Sequence, residues 1–394
     1  MTSPITGDTR WLQSNVTRNN NFDLLRLLAA LQVVILHAAG HLNVWVPPGF
    51  FNGMEYFQGV PVFFFLSGML VTQSLYTSAS VESFYVKRCR RIFPALWVAF
   101  GIALLLLIAF GEITVQVLRM PTFWLWVGTQ VSFLQFYNPP FFRTFGSGVV
   151  NGSLWTISVE VGFYLLLPFI VGAASRLGGK RGNQRRVLEW MLVFTVGLSW
   201  MFSAWLATLG DYTGGGEKAP LWALLANQTV LPHFWLFGLG ILAYLRFDYL
   251  KTKLPSWKVL LPSYLVMVAA GSWFDLPRYP LFVFAGRLLL CATTLAFGAY
   301  AKPFADRLLK GWDLSYSVYV FHMLILNTFI ALHIQGSWGY ALLVIGLALG
   351  MAALSWKFVE RPALKRSSQA AHPGRWKAAA GDAVVTADAG QTAA

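Results

Sequence analysis

The chain has 394 residues, 56% of them hydrophobic and only 12% charged, with a formal net charge of +14. A soluble domain carries roughly twice that charged fraction, so a water-soluble globular protein is excluded, and runs such as FGIALLLLIAF lack the alternation of a transmembrane β-barrel. In a soluble chain this positive charge would suggest nucleic acid. Here Lys and Arg gather at the ends of apolar runs, the mark of cytoplasmic loops, and no nucleic-acid partner is expected.

Apolar runs lie at roughly 23–42, 58–77, 92–111, 122–137, 153–175, 187–207, 221–245, 258–274, 281–300, 314–333 and 339–357, each of a length that suggests a membrane helix. Charge decides how many of them cross. With the N-terminus inside, the cluster Lys87, Arg88, Arg90, Arg91 falls on the cytoplasmic side. If 122–137 crossed, the loop RLGGKRGNQRR and every later basic loop would fall outside. If it does not cross, 25 of the 30 Lys and Arg are cytoplasmic, Arg119, Arg143, Lys218 and Arg278 are outside, and Arg287 lies within a span. The prediction is therefore an all-α bundle of ten spans with both termini cytoplasmic. Segment 122–137, flanked by Pro121, Pro139 and Pro140 and carrying Trp124 and Trp126, is expected to be interfacial or re-entrant. Residues 1–20 and 367–394 read as disordered cytoplasmic ends around a membrane domain at 21–366. No cleavable leader is indicated; the first span serves as signal-anchor. Cys89 and Cys291 sit at different depths and suggest neither a disulfide nor a metal motif. No internal repeat suggests an inverted-repeat transporter.

Ionisable groups inside spans are functional candidates, because hydrocarbon penalises them. Arg26 and His37 are eleven residues apart on one helix, which returns them to nearly one face about 16 Å apart. His37 reads either as a functional imidazole or as an interior histidine bonded to a neighbour. A metal pair with His41 lacks the Glu or Asp of a hydrolytic zinc motif, and no metal is expected. Arg88 and Arg91 open the third span and suit either phosphate binding or membrane anchoring. Glu160 and Arg287 enter their spans from the same side and are expected to pair, as a structural lock or as a catalytic orienting pair. Trp155 suits the outer mouth, stacking on a sugar or marking the interface. Tyr319 and His322 share a face in LSYSVYVFHML, with His322 at a depth similar to His37. Walker, G-x-S-x-G and GxGxxG motifs are absent, so nucleotide hydrolysis and serine hydrolysis have no support.

These segments, in order from about 20 to 365, resemble the acyltransferase-3 family of integral membrane acyltransferases. The residues that carry the likeness are Asn21-Phe22-Asp23 through Arg26 with His37, GVPVFFFLSGMLV around Ser67 and Gly68, and RCRRIFP with Arg88 and Arg91. NGSLWTISVEVGFYLLLP with Trp155 and Glu160, SYSVYVFH with His322, and WKFVERP near Glu360 complete it. The resemblance implies acyl transfer from a cytoplasmic acyl-coenzyme A, a co-substrate rather than a resident cofactor, to a hydroxyl that is often on a carbohydrate. It implies an essential His37, donor binding by Arg26, Arg88 and Arg91, and a multi-pass location in the bacterial cytoplasmic (inner) membrane. The opening segment looks most like members that acetylate exopolysaccharides, which would make polysaccharide biosynthesis proteins its partners. Glu160 or His322 is expected to orient the imidazole, and Trp155, Ser67 and Tyr319 to contact substrate. Some relatives add an extracytoplasmic esterase-like domain, which this chain is expected to lack. The alternatives are a flippase for a lipid-linked saccharide and O-acylation of a small secondary metabolite.

Overall fold

The computed structural model describes residues 21–47, 50, 53–54, 58–178, 183–210, 219–276, 279–300 and 305–370; residues 1–20 and 371–394, within the ends read above as disordered, lie outside them. The described residues contain helices and no strand. Ten helices form the bundle: α1 (Phe22–His41), α2 (Gly59–Tyr76), α3 (Val81–Ala109), α4 (Trp155–Gly178), α5 (Gln184–Leu206), α6 (Phe234–Leu245), α7 (Trp257–Phe274), α8 (Pro280–Tyr300), α9 (Ser315–Ala331) and α10 (Trp338–Ser355). Eight are long and apolar enough to cross a bilayer; α6 and α9 are apolar but shorter. A five-residue π-type segment, Trp356–Glu360, and a further helix, Arg361–Ala370, follow α10.

Burial sorts the helices into a centre and a rim. In α2, 72% of the span is buried, against 17% in α7. A helix that is apolar on every side belongs in the middle of a bundle, and α9 likewise buries most of its length, including Ser315, Ser317, His322 and Asn327. Gly68 and Gly240 explain how α2 and α6 approach so closely. A Cβ on Gly68 would lie 2.1 Å from the Phe237 carbonyl oxygen, and one on Gly240 would lie 2.1 Å from that of Phe65. Small residues at a crossing let membrane helices pack backbone to backbone.

Polar contacts fix which helix ends share a side. Arg26, Arg91, Asp313 and Glu360 join the start of α1, the first half of α3 and the turn before α9 to the segment after α10. Asn21 N donates to Gly298 O at 2.9 Å, which adds the end of α8. At the far end, Gly336 N donates to Leu42 O at 2.8 Å. Had 122–137 crossed, the end of α8 would face away from the start of α1. The two touch, so the bundle has an even number of crossings, as the charge count predicts. The helix in that segment, Pro121–Val131, has eleven residues and spans about 16 Å, half a hydrocarbon core. Trp126 packs against Phe100 and Phe142 while Trp124 is exposed.

The strand of chain that enters the bundle is a later one. Ser147 N donates to Asn327 Oδ1 (2.9 Å), Asn327 Nδ2 to Val149 O and Val150 O (2.8 and 3.0 Å), and Asn151 Nδ2 to Val320 O (2.9 Å). Ser153 Oγ reaches Tyr319 O at 3.3 Å. Residues 147–153 thus run along α9 from Asn327 to Tyr319. Irregular backbone survives among membrane helices only when its polar groups find partners there, and two asparagines supply them. Gly146 takes φ +58° where a Cβ would lie 2.5 Å from Asn327. This descent starts α4 deep in the bundle, beside α9.

Candidate active site

His37 of α1 and His322 of α9 meet ring to ring. Their centroids are 5.2 Å apart, and His37 Nδ1 lies 2.9 Å from His322 Nε2. The hydrogen-bond network assigns the protons. His322 Nδ1 lies 2.7 Å from the Tyr319 carbonyl oxygen; a carbonyl only accepts, so Nδ1 carries the hydrogen. In neutral His322, Nε2 is then bare and accepts from His37 Nδ1–H. His37 is left with a lone pair on Nε2. That nitrogen is bonded to no described group and is not sealed from the surface, for His37 is half-buried while His322 is wholly buried. A neutral imidazole locked in one tautomer, with one nitrogen held and the other open, has the form that a general base requires. His41, one turn on, has its ring 5.9 Å from His37.

Below the dyad, four charges interlock. Asp313 Oδ2 accepts from Arg26 Nη1 at 3.1 Å and from Arg91 Nη2, and Asp313 Oδ1 accepts from Ser315 Oγ at 2.7 Å. Arg91 Nη1 donates to Glu360 Oε2 at 3.0 Å, and Glu360 Oε1 accepts from Ser317 Oγ at 2.5 Å. Burial acts to raise the carboxyl of Asp313, which lies in the turn before α9, but Arg91 and Arg26 beside it hold it at about 2. Two cations and two anions balance, so this cluster can sit out of water. It clamps α1 and α9 together eleven residues below His37 and nine below His322, which sets the register of the dyad.

The other expected site residues divide. Arg88 Nη2 donates to Ser74 Oγ at 3.2 Å and its guanidinium lies 5.8 Å from the centre of the Tyr164 ring, but its Nε is buried without a hydrogen-bond partner. Unlike Arg26 and Arg91, it has no carboxylate partner among the described residues. Glu160 does not pair with Arg287 and bonds to neither histidine. Its Oε1 accepts from Ser67 Oγ (2.9 Å) and Tyr164 OH (2.5 Å), whereas Arg287 donates to Gln58 Oε1. Shared depth did not imply shared azimuth: α2 stands beside α4 and supplies the hydroxyl. Glu160 instead lines a small cavity of about 30 Å³, room for about one water, with Arg26, Phe64, Thr156, Tyr316 and Tyr319. The Tyr319 hydroxyl accepts from Thr156 Oγ1 (2.9 Å) and donates to Ser153 O (3.1 Å), so it ties α4 to α9. Trp155 is half-buried against His233, 5.3 Å between ring centres.

Sequence reasoning missed Asp313 and gave no weight to His233. Asp313 was legible as an acid between the basic stretch at Lys310 and an apolar span, and thus as the counter-charge that Arg26 and Arg91 require. For His233, which follows a proline at the edge of a run, the sequence carried no comparable signal.

An open base fixed by a second histidine inside a polytopic bundle, above a cavity that reaches an arginine cluster, is the equipment of a membrane-embedded acyltransferase. The chain belongs to the acyltransferase-3 family: residues 19–359 match that family's acyltransferase domain. It is 32% identical over 366 residues to nodulation protein 10 of Rhizobium leguminosarum bv. viciae, covering 88% of this chain and 93% of that protein. It is 26% identical over 378 residues to an O-acetyl transferase of Shigella phage Sf6, with 89% and 98% covered. A peptidoglycan O-acetyltransferase of Listeria monocytogenes is 26% identical over 376 residues, 88% of this chain and 56% of its own length. No solved structure matches.

Proposed function

We propose that this acyltransferase moves an acetyl group from cytoplasmic acetyl-coenzyme A to a hydroxyl of a carbohydrate, an exopolysaccharide or its lipid-linked precursor, in the bacterial inner membrane. The observation that carries the reading is the His37–His322 pair with the open His37 Nε2. The relatives named as O-acetyl transferases support acetyl as the group and a hydroxyl as its destination. The donor is a co-substrate, and polysaccharide biosynthesis proteins are the expected partners.

The geometry supports the following course of reaction. The donor's phosphates are held at the cytoplasmic edge by Arg88, whose guanidinium has no carboxylate partner among the described residues. Arg26, already paired with Asp313, places a guanidinium on the cavity wall. The pantetheine arm runs inward from Arg88 with its thioester toward His37. His37 Nε2 takes the proton of the acceptor hydroxyl as that oxygen attacks the thioester carbonyl. The tetrahedral adduct collapses, the C–S bond breaks, and the thiolate recovers the proton from His37 Nε2. The products are the acetyl ester and free coenzyme A, with no net proton change. While His37 is cationic, its Nδ1–H bond to His322 is charge-assisted and stronger than in the resting state.

The test is incubation of membranes containing the protein with acetyl-labelled acetyl-coenzyme A, followed by mass analysis of the surface polysaccharide. Alkali-labile acetyl on the glycan is the expected result. Label confined to protein or to small metabolites would reject the carbohydrate acceptor.

A further inference from the structure

His233 lies inside the bundle and takes no part in the chemistry above. It caps the start of α6, and its Nε2 lies 2.9 Å from the Asn227 carbonyl oxygen. A carbonyl only accepts, so Nε2 carries the hydrogen and Nδ1 is a bare acceptor. No described group donates to Nδ1, and the atom is not sealed from the surface. The ring is held between Phe64, 5.5 Å away, and Trp155, 5.3 Å away. Trp155 carries the complementary vacancy: its Nε1–H, a donor, bonds to no described group and is likewise unsealed. Two adjoining rings therefore offer one unfilled acceptor and one unfilled donor.

The position ties this pair to the dyad. Thr156, next to Trp155, bonds to the Tyr319 hydroxyl, and the Tyr319 carbonyl orients His322. Phe64 and Thr156 also line the cavity that holds Arg26 and Glu160. A ligand against Trp155 and His233 is thus linked to the dyad through Thr156 and Tyr319. A hydroxyl both donates and accepts, and a sugar presents several beside an apolar C–H face that packs on aromatic rings.

We infer that Trp155 and His233 form the acceptor subsite, with Trp155 Nε1–H donating to one sugar hydroxyl and His233 Nδ1 accepting from another. This rests on the carbohydrate reading above. It adds a residue, His233, that binds the acceptor and leaves the donor untouched.

The experiment uses purified full-length protein with acetyl-labelled acetyl-coenzyme A and polysaccharide from a strain lacking the gene. His233→Phe removes the acceptor atom and keeps an aromatic ring; its apparent KM for the polysaccharide should rise roughly three- to tenfold. Its thermal shift with coenzyme A should match that of the parent. His233→Gln, whose amide can both donate to Asn227 and accept from a hydroxyl, should recover most of the loss. Trp155→Phe removes only the N–H and should raise the same KM, a readout that holds even if His233→Phe does not fold. An unchanged polysaccharide KM in His233→Phe or in Trp155→Phe overturns the subsite. Equal loss of coenzyme A binding in His233→Phe also overturns it, for it marks a general structural role. If the parent itself places no label on polysaccharide, the carbohydrate reading fails and the subsite falls with it; label on polysaccharide with indifferent variants sinks the subsite alone.

Discussion

Replacing His322 with Ala isolates what the second histidine contributes. The change removes the acceptor for His37 Nδ1–H, now 2.9 Å away, and leaves the His37 ring in place on α1. Two consequences follow. The His37 proton is free to move to Nε2, which presents an N–H where the acceptor hydroxyl needs a lone pair. The imidazolium formed during attack also loses a charge-assisted hydrogen bond, worth about 1.5–3 kcal/mol. At 1.36 kcal/mol per decade that is a loss of about 10- to 150-fold in kcat/KM. His322→Gln, whose amide oxygen can accept from Nδ1–H, should lose less. Because His322 acts through His37, the double variant His37→Ala/His322→Ala should be no slower than His37→Ala alone. The assay is the initial rate of labelled acetyl transfer in membrane vesicles, normalised to folded protein. Wild-type kcat/KM in His322→Ala, or full additivity in the double variant, would refute the positioning role.

Arg88→Ala should raise the apparent KM for acetyl-coenzyme A by about 10- to 150-fold, the worth of a charge-assisted bond, with kcat little changed; a fall in kcat alone contradicts phosphate binding. Asp313→Asn leaves Arg26 without a carboxylate and should cost about 3–5 kcal/mol of stability, the price of breaking a buried pair, read as loss of folded protein on heating. The folded Asp313 carboxyl is held below its ordinary value of 3.8, at about 2, by Arg91 and Arg26, so its contribution is fully present above 3.8 and lost as pH falls through about 2. The parent's pH–rate profile between pH 5 and 8 should therefore owe nothing to Asp313, and an inflection there that surviving Asp313→Asn protein lost would show the clamp titrating in that range. Gly68→Ala forces a Cβ to 2.1 Å from a backbone oxygen and should abolish accumulation of folded protein; normal yield would mean α2 and α6 separate easily.

The sequence carried the bundle because its two signals are coarse and redundant. Hydrocarbon thickness sets the length of an apolar run, and the distribution of Lys and Arg settles whether 122–137 crosses. The shared ends of α1, α8 and α9 agree with that count. His37 and His322 were legible by depth, since rise per residue is fixed along a helix. Which neighbour each charge would meet was not. Glu160 and Arg287 lie at one depth on helices that point them at Ser67 and Gln58, and azimuth depends on packing that periodicity within one helix does not reveal. The descent of residues 147–153 was also hidden. It depends on Asn151 and Asn327, 176 residues apart, each ordinary in its own segment.

The central claim is that an open nitrogen on His37 removes the acceptor's proton. His37→Ala, purified alongside the parent, should bind coenzyme A with the same thermal shift while its rate of acetyl transfer falls by about 10²- to 10⁴-fold, the range for a lost general base. Transfer at the parental rate by that variant would contradict the account.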